Sequence, residues 1–227
     1  MPFWKSLVSA VVQPVLFGAM LFLPAGTLHW WRAWVFLATV LVASLATMFG
    51  VIRLNPELLN ERYKSPVQRG QPLSDRIVLL ALLVSFAGDV VFIPLDVFRF
   101  ELFGRPGLFV SSLGLALFVA GWTVITLAFK ENTFAAPVVK YQSERHQKVI
   151  DSGVYRFVRH PMYGGAVLIV IGQALWLESY AAAVFALVPI VVLAVRVLIE
   201  ERFLRGELSG YEAYTEKTRY RMIPFVW

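Results

Sequence analysis

Five runs of apolar residues, each long enough to cross a bilayer, dictate most of what this chain can fold into: they lie near Leu7 to Leu23, Trp34 to Ile52, Ile77 to Leu95, Leu108 to Phe129 and Tyr180 to Ile199. Crossing about 30 Å of hydrocarbon takes roughly 20 helical residues. A further run, Met162 to Leu177, is shorter. At about 1.5 Å per residue it reaches some 24 Å, so it is either a thin or tilted span or one arm of a re-entrant hairpin with the last run. In lipid only helices and closed barrels satisfy their backbone groups, and the alternation of a strand is missing. The expected fold is an all-α integral membrane protein, a bundle of five to six transmembrane helices ending in a helical hairpin. A division near residue 130 is expected inside a single structural unit. Residues 1–130 form an N-terminal four-helix transmembrane region, and residues 131–227 supply a loop, the hairpin and a polar tail.

Composition removes several alternatives. The chain is 58% hydrophobic and only 16% charged, against roughly 45–50% apolar residues in a soluble domain. Cysteine is absent, which excludes a disulfide scaffold, a thiolate metal site and a cysteine nucleophile; no metal site is expected. The net charge of +6 is accounted for by positive-inside topology, so no nucleic-acid partner is expected. The start, Met1-Pro2-Phe3-Trp4-Lys5 and then apolar residues, has the charge order of a signal peptide, but its run is too long for one, and a retained first helix is expected.

Orientation follows from lysine and arginine. With the N-terminus inside, the inner side receives Lys5, Arg53, Arg62, Lys64, Arg69, Arg76, Lys130, Lys140, Arg145, Lys148, Arg156 and Arg159, and the outer side Arg32, Arg99 and Arg105. Both termini and both long polar segments are therefore expected in the cytoplasm. Trp30, Trp31 and Trp34 sit where an interfacial aromatic belt belongs, and Trp176 marks the far end of the hairpin. In the first inner loop, Asn55-Pro56 predicts a turn followed by a short amphipathic helix, either lying at the interface or forming a lip of a site. Asp89 is an acid well inside a span; it serves either a proton relay or substrate, or a hydrogen bond to a neighbouring helix.

The densest polar chemistry is Gly153-Val154-Tyr155-Arg156-Phe157-Val158-Arg159-His160-Pro161-Met162-Tyr163-Gly164-Gly165, at the mouth of the hairpin. Charged groups entering hydrocarbon cost about 2.5–3.5 kcal/mol and by default mark a site. Pro161 suits a first helical turn, which places Arg159 and His160 at a helix N-terminus, where a carboxylate is favoured. Gly164 and Gly165 leave that helix bare for a neighbouring helix or a flat ligand. Arg196 and Glu200 share a face of the last span and Glu201 is turned about 100° away. They form either a simple ion pair with Glu201 in water or, because a hairpin brings its ends together, a cluster with Arg159 and His160. Tyr211, Tyr214, Arg219, Arg221 and Pro224 follow in a tail that either snorkels at the headgroups or covers the cluster.

Gly153-Val154-Tyr155, Arg159-His160-Pro161-Met162-Tyr163-Gly164, Arg196 with Glu200-Glu201 and Leu204, then Tyr211, Tyr214 and Pro224 together resemble the isoprenylcysteine carboxyl methyltransferases and their phospholipid methyltransferase relatives. Asn55-Pro56-Glu57-Leu58-Leu59 resembles a loop of prokaryotic members. The resemblance implies a methyltransferase that holds S-adenosylmethionine in a cytoplasmic pocket made by residues 131–227, with no Rossmann domain. Gly153, Val154, Tyr155, His160 and Tyr163 would line the cofactor site, with Glu200 or Glu201 on its polar groups and His146 near a further contact. Arg196 and Arg159 would hold a carboxylate of a lipophilic, isoprenylcysteine-like acceptor presented from among membrane lipids. A phospholipid or small isoprenoid acceptor stays open beside it, as do an NADPH-dependent membrane reductase and a non-enzymatic transporter. A carboxylate is already a nucleophile, so such a site needs positioning and desolvation; an amine would need a base, with His160 or a glutamate available.

Overall fold

The computed structural model describes residues 2–62, 64, 65, 67, 68 and 70–227, so that Met1 and Arg69, one of the inner-side cations, lie outside it. It is helical as the apolar runs require: α1 (Pro2–Ala25), α2 (Trp31–Leu54), α3 (Pro56–Arg62), α4 (Leu73–Leu95), α5 (Leu108–Glu131), α6 (Pro161–Trp176), α7 (Tyr180–Phe185), α8 (Leu187–Glu207) and α9 (Tyr211–Lys217). Among the described residues four stretches are long and apolar enough to cross a membrane, Trp31–Val51, Leu73–Phe100, Leu108–Glu131 and Tyr180–Glu207, while Ala10–Ala25 and Pro161–Trp176 are shorter. The last long stretch is not one rod, since Ala186 breaks it into α7 and α8.

The main seam joins α5 to α6, so the packing runs straight across the expected division at residue 130. Glycines make the seam. A Cβ built on Gly165 would lie 2.6 Å from the Gly121 carbonyl oxygen, and one on Gly172 would lie 2.6 Å from the Gly114 carbonyl oxygen. Gly114 and Gly121, like Gly165 and Gly172, are two helical turns apart, so each helix presents a bare stripe that lets the backbones touch. Gly164 faces elsewhere, against the Met222 carbonyl. Small-residue packing therefore accounts for both motif glycines.

At the end of the bundle away from residues 132–160, Arg32 lies between the rings of Trp31 and Trp176, 4.9 Å from each ring centre, and pairs with Glu178 at 3.1 Å. Trp31 and Trp34 are exposed as a belt requires, whereas Trp30 is buried against Phe98. Asp89 meets a neighbouring helix: the Gln173 amide donates to its Oδ2 at 3.0 Å, both residues are fully buried, and Asp89 Oδ1 and Gln173 Oε1 have no partner. Asn at position 89 would keep the acceptor and add a donor. Asp89→Asn should therefore leave the thermal midpoint of the detergent-solubilised protein nearly unchanged. Asp89→Leu strands the amide and should cost about 1–3 kcal/mol. Equal drops in both would show that the carboxyl group itself is required.

Candidate active site

At the opposite end, the segments singled out in the sequence close on one another. Pro161 starts α6, as its ring predicts. The chain entering it is fixed from the tail: the Arg159 and His160 amides donate to the carbonyls of Tyr220 and Arg221 at 2.9 and 2.7 Å. Glu201 is the centre of the charge cluster. It accepts from Arg159 Nε at 2.6 Å and from Arg221 Nε at 3.0 Å, with His160 Nε2 at 3.3 Å. Arg159 also donates to the Thr218 and Arg219 carbonyls. Glu201 is buried, not in water, because the tail folds back over it.

Glu200, its neighbour on α8, faces a cleft and accepts from the Tyr163 hydroxyl at 2.7 Å. The Tyr163 ring stacks on His160 with centroids 5.6 Å apart. The cleft is narrow, with a free volume of about 100 Å³, less than the roughly 300–1,000 Å³ of typical small-molecule sites. Tyr155, Tyr211 and Tyr214 form an aromatic side of it. Tyr214 donates to the Tyr155 carbonyl at 2.6 Å and Asn132 donates to the Tyr155 hydroxyl at 3.1 Å. The Tyr211 hydroxyl is buried with no partner. Burial raises the pKa of all three phenols above their ordinary range, so each stays a neutral donor at physiological pH.

The far wall is the 132–150 segment, held down by α3. Glu57 pairs with Arg145 at 3.1 Å and Glu61 with Lys140 at 3.0 Å and with Lys64. Burial pulls the Glu61 pKa upward, but the hydrogen bonds from Lys64 and Lys140 outweigh it and leave it below the ordinary value. Asn55 donates its amide to the Phe129 carbonyl at 2.9 Å, and Arg62 lies over the Phe129 ring and donates to the Ala135 carbonyl at 3.2 Å. Helix α3 thus braces this wall without itself lining the cleft.

Of the residues expected to line the cofactor site, Tyr155, His160, Tyr163 and Glu200 line the cleft, as does Arg159. Gly153 and Val154 do not line it; Gly153 has φ 54° and packs on the Glu131 side chain. His146 is exposed and turned away, and its neighbours Gln147 and Lys148 contribute instead. Arg196 and Glu200 do not pair. Arg196 is buried behind the cleft, with its Nε 3.2 Å from Asp75 Oδ1 and its Nη2 donating to the Pro137 carbonyl at 2.7 Å. Sequence reasoning passed over Asp75 and Asn132. An acid in a first helical turn reads as a partner of the helix dipole, so nothing local marks Asp75. Among the described residues no group of three or more acids and histidines could hold a metal ion.

A second cavity, of about 430 Å³, lies among α1, α2, α4, α5 and α6. Phe17, Phe86, Phe118 and Trp122 make it mostly apolar, and Arg62 and Phe129 stand at one end of it. Phe129 and Met162 pack in one cluster with Ala135, and Met162 and Ala135 also line the cleft. The two cavities thus lie on either side of this strip.

Residues 109–209 match the family of phospholipid methyltransferases. The chain is 31% identical over 121 residues to a probable protein-S-isoprenylcysteine O-methyltransferase of Oryza sativa subsp. japonica, covering 52% of this chain and 63% of the relative. It is 30% identical over 131 residues to protein-S-isoprenylcysteine O-methyltransferase B of Arabidopsis thaliana, covering 53% and 64%. The matches thus span less than two thirds of these relatives. The structure of a eukaryotic intramembrane Ras methyltransferase, an isoprenylcysteine carboxyl methyltransferase, superposes with a TM-score of 0.56 over 93% of this chain and 74% of that one, at 19% identity. The likeness there is one of fold.

Proposed function

We propose that this chain, a relative of the isoprenylcysteine O-methyltransferases, transfers the methyl group of S-adenosylmethionine to a lipophilic acceptor at the cytoplasmic face of a membrane. One observation carries the reading. Tyr155, His160, Tyr163 and Glu200 of the motif share a single cleft with Tyr211 of the tail, whose buried hydroxyl lacks a partner. The residues fit the donor by type: aromatic faces suit an adenine and a sulfonium cation, Glu200 suits hydroxyl or ammonium groups, and the N-terminus of α6 suits a carboxylate. The donor, when bound, supplies an electrophilic methyl on sulfur. The chain's own task is to hold it, exclude water and align the acceptor. The apolar cavity among the helices suits the acceptor's lipid part, which would reach the cleft across Phe129 and Met162. We assign five to six spans, with both termini and the cleft cytoplasmic, because the lysines and arginines lie on the loops around the cleft.

Carboxyl O-methylation is the acceptor chemistry that the names of the relatives suggest. The structure also gives a reason to test an amine. Arg159 and Arg196 are each committed to an internal carboxylate, Glu201 and Asp75, while Glu200 faces the cleft. Glu200 on the cleft wall suits an amino headgroup, the chemistry of phospholipid N-methylation. The detergent-purified protein should bind S-adenosylmethionine saturably and ignore NADPH. Labelled methyl should then appear on a prenylated cysteine carboxylate, or on phosphatidylethanolamine if the amine reading holds. Binding of NADPH alone would hand the site to a reductase.

Tyr211→Phe offers a finer check. It removes a buried hydroxyl that nothing satisfies, so the empty protein should be as stable as the parent or more so. Donor affinity should fall about fivefold, the worth of one hydrogen bond. A drop in stability with unchanged donor affinity would remove Tyr211 from the site.

A further inference from the structure

We infer that Asp75 is a positioning residue of the methyl-transfer site, whose work is to keep Arg196 off Glu200; the inference rests on the methyltransferase reading. Arg196 and Glu200 stand four residues apart on α8, the spacing at which an arginine and a glutamate on one helix face pair by default. In the structure that pair does not form. Asp75, fully buried at the first turn of α4, presents Oδ1 at 3.2 Å from Arg196 Nε. Its Oδ2 is held by the Gln71 side-chain amide at 2.7 Å and by the Val139 backbone amide at 3.0 Å. Gln71, just before α4, and the cleft wall fix Oδ2 by hydrogen bonds, while Oδ1 faces the guanidinium as an ion pair without a hydrogen bond, and Glu200 is engaged by Tyr163 instead. The guanidinium turned toward Asp75 donates to the Pro137 carbonyl and lies 5.9 Å from the centre of the Tyr163 ring. Glu200 is left to Tyr163 and the cleft.

Without the Asp75 charge, Arg196 is a buried cation lacking a counter-ion, a state that costs several kcal/mol. The nearest remedy on its own helix is Glu200. Asp75 thus determines whether the cleft has a free acid. The same two residues hold alternate backbone groups of 137–139, and Val138 and Val139 wall the cleft, so wall and acid are set together.

The test is a titration of detergent-purified variants with S-adenosylmethionine. Asp75→Asn keeps an acceptor for Val139 and should weaken donor binding about tenfold, the order of an ion pair captured by the wrong partner. Asp75→Asn with Arg196→Met leaves neither charge, so nothing captures Glu200, and donor affinity should return to within about threefold of the parent, as expected for a buried pair replaced as a unit. A role in folding alone predicts the opposite order, with the double variant no better than the single. The inference fails if the Asp75→Asn variant binds as the parent does. It fails equally if a folded double variant does not bind, an outcome readable even when the single variant cannot be purified. Absence of binding by the parent would instead sink the methyltransferase reading, and this inference with it.

Discussion

Glu201→Gln should destabilise the protein by about 3–5 kcal/mol, the cost of breaking a buried ion pair from one side, while Glu200→Gln should leave stability within about 1 kcal/mol of the parent and abolish most of the proposed methyl transfer. The two glutamates are adjacent, yet their surroundings differ completely. Glu201 is buried and meets Arg159, His160 and Arg221. Replacing its carboxylate leaves the Arg159 guanidinium, itself buried, without a counter-charge. The loss should reach the tail as well, since Arg159 holds the carbonyls of Thr218 and Arg219. Glu200 loses one hydrogen bond from Tyr163 at the edge of an open cleft. Thermal unfolding in detergent with a methyl-transfer assay separates the two. If Glu200→Gln unfolds the protein and Glu201→Gln does not, the burial described for α8 is reversed.

The glycine seam should be equally intolerant. Gly165→Val puts its Cβ 2.6 Å from the Gly121 carbonyl oxygen and 2.8 Å from Ile125. The obstacle is partly backbone, so no rotamer relieves it and α5 and α6 must move apart. Overpacking of this kind costs about 1–3 kcal/mol, and the upper end is expected here because separation opens the seam along its whole length. Gly50→Ala on α2 is the control: a Cβ there meets nothing within 4 Å, and the exchange should be neutral or stabilising by up to about 1 kcal/mol. Similar midpoints for Gly165→Val and Gly50→Ala would mean that the helices do not touch there.

The sequence makes the helices legible because lipid leaves a chain few options. The long apolar runs fix α2, α4, α5 and most of α8, and Pro161 marks the start of α6. The cluster around Arg159 and His160 is legible because a hairpin must bring its own ends together. What the sequence hides is the partner of each charge. Helical spacing alone matches Arg196 to Glu200, and only tertiary packing brings Asp75, from the far side of the chain, close enough to replace it. Spacing likewise puts Glu200 and Glu201 on different faces without saying which is inside; the returning residues 218–221 decide that. His146 falls in a polar loop, where neither hydropathy nor helical period gives a direction, and the structure turns it outward. The sequence leaves Gly164 and Gly165 open to a neighbouring helix or a ligand because their partners, the Met222 carbonyl for Gly164 and Gly121 for Gly165, carry no local mark.

The pairing of Asp75 with Arg196 bears on how such chains can be recombined. A chimera joined at residue 130, with the first part from this protein and the second from a relative, inherits one half of a buried ion pair and one half of a glycine stripe. Each half is harmful alone: an unmatched charge under the cleft, or a side chain where a neighbouring backbone should sit. Crossovers that carry position 75 together with position 196, and the stripe of α5 together with that of α6, should yield folded hybrids, whereas a cut at the apparent linker should not. The unit of exchange in this architecture is therefore a set of facing residues, not a length of chain.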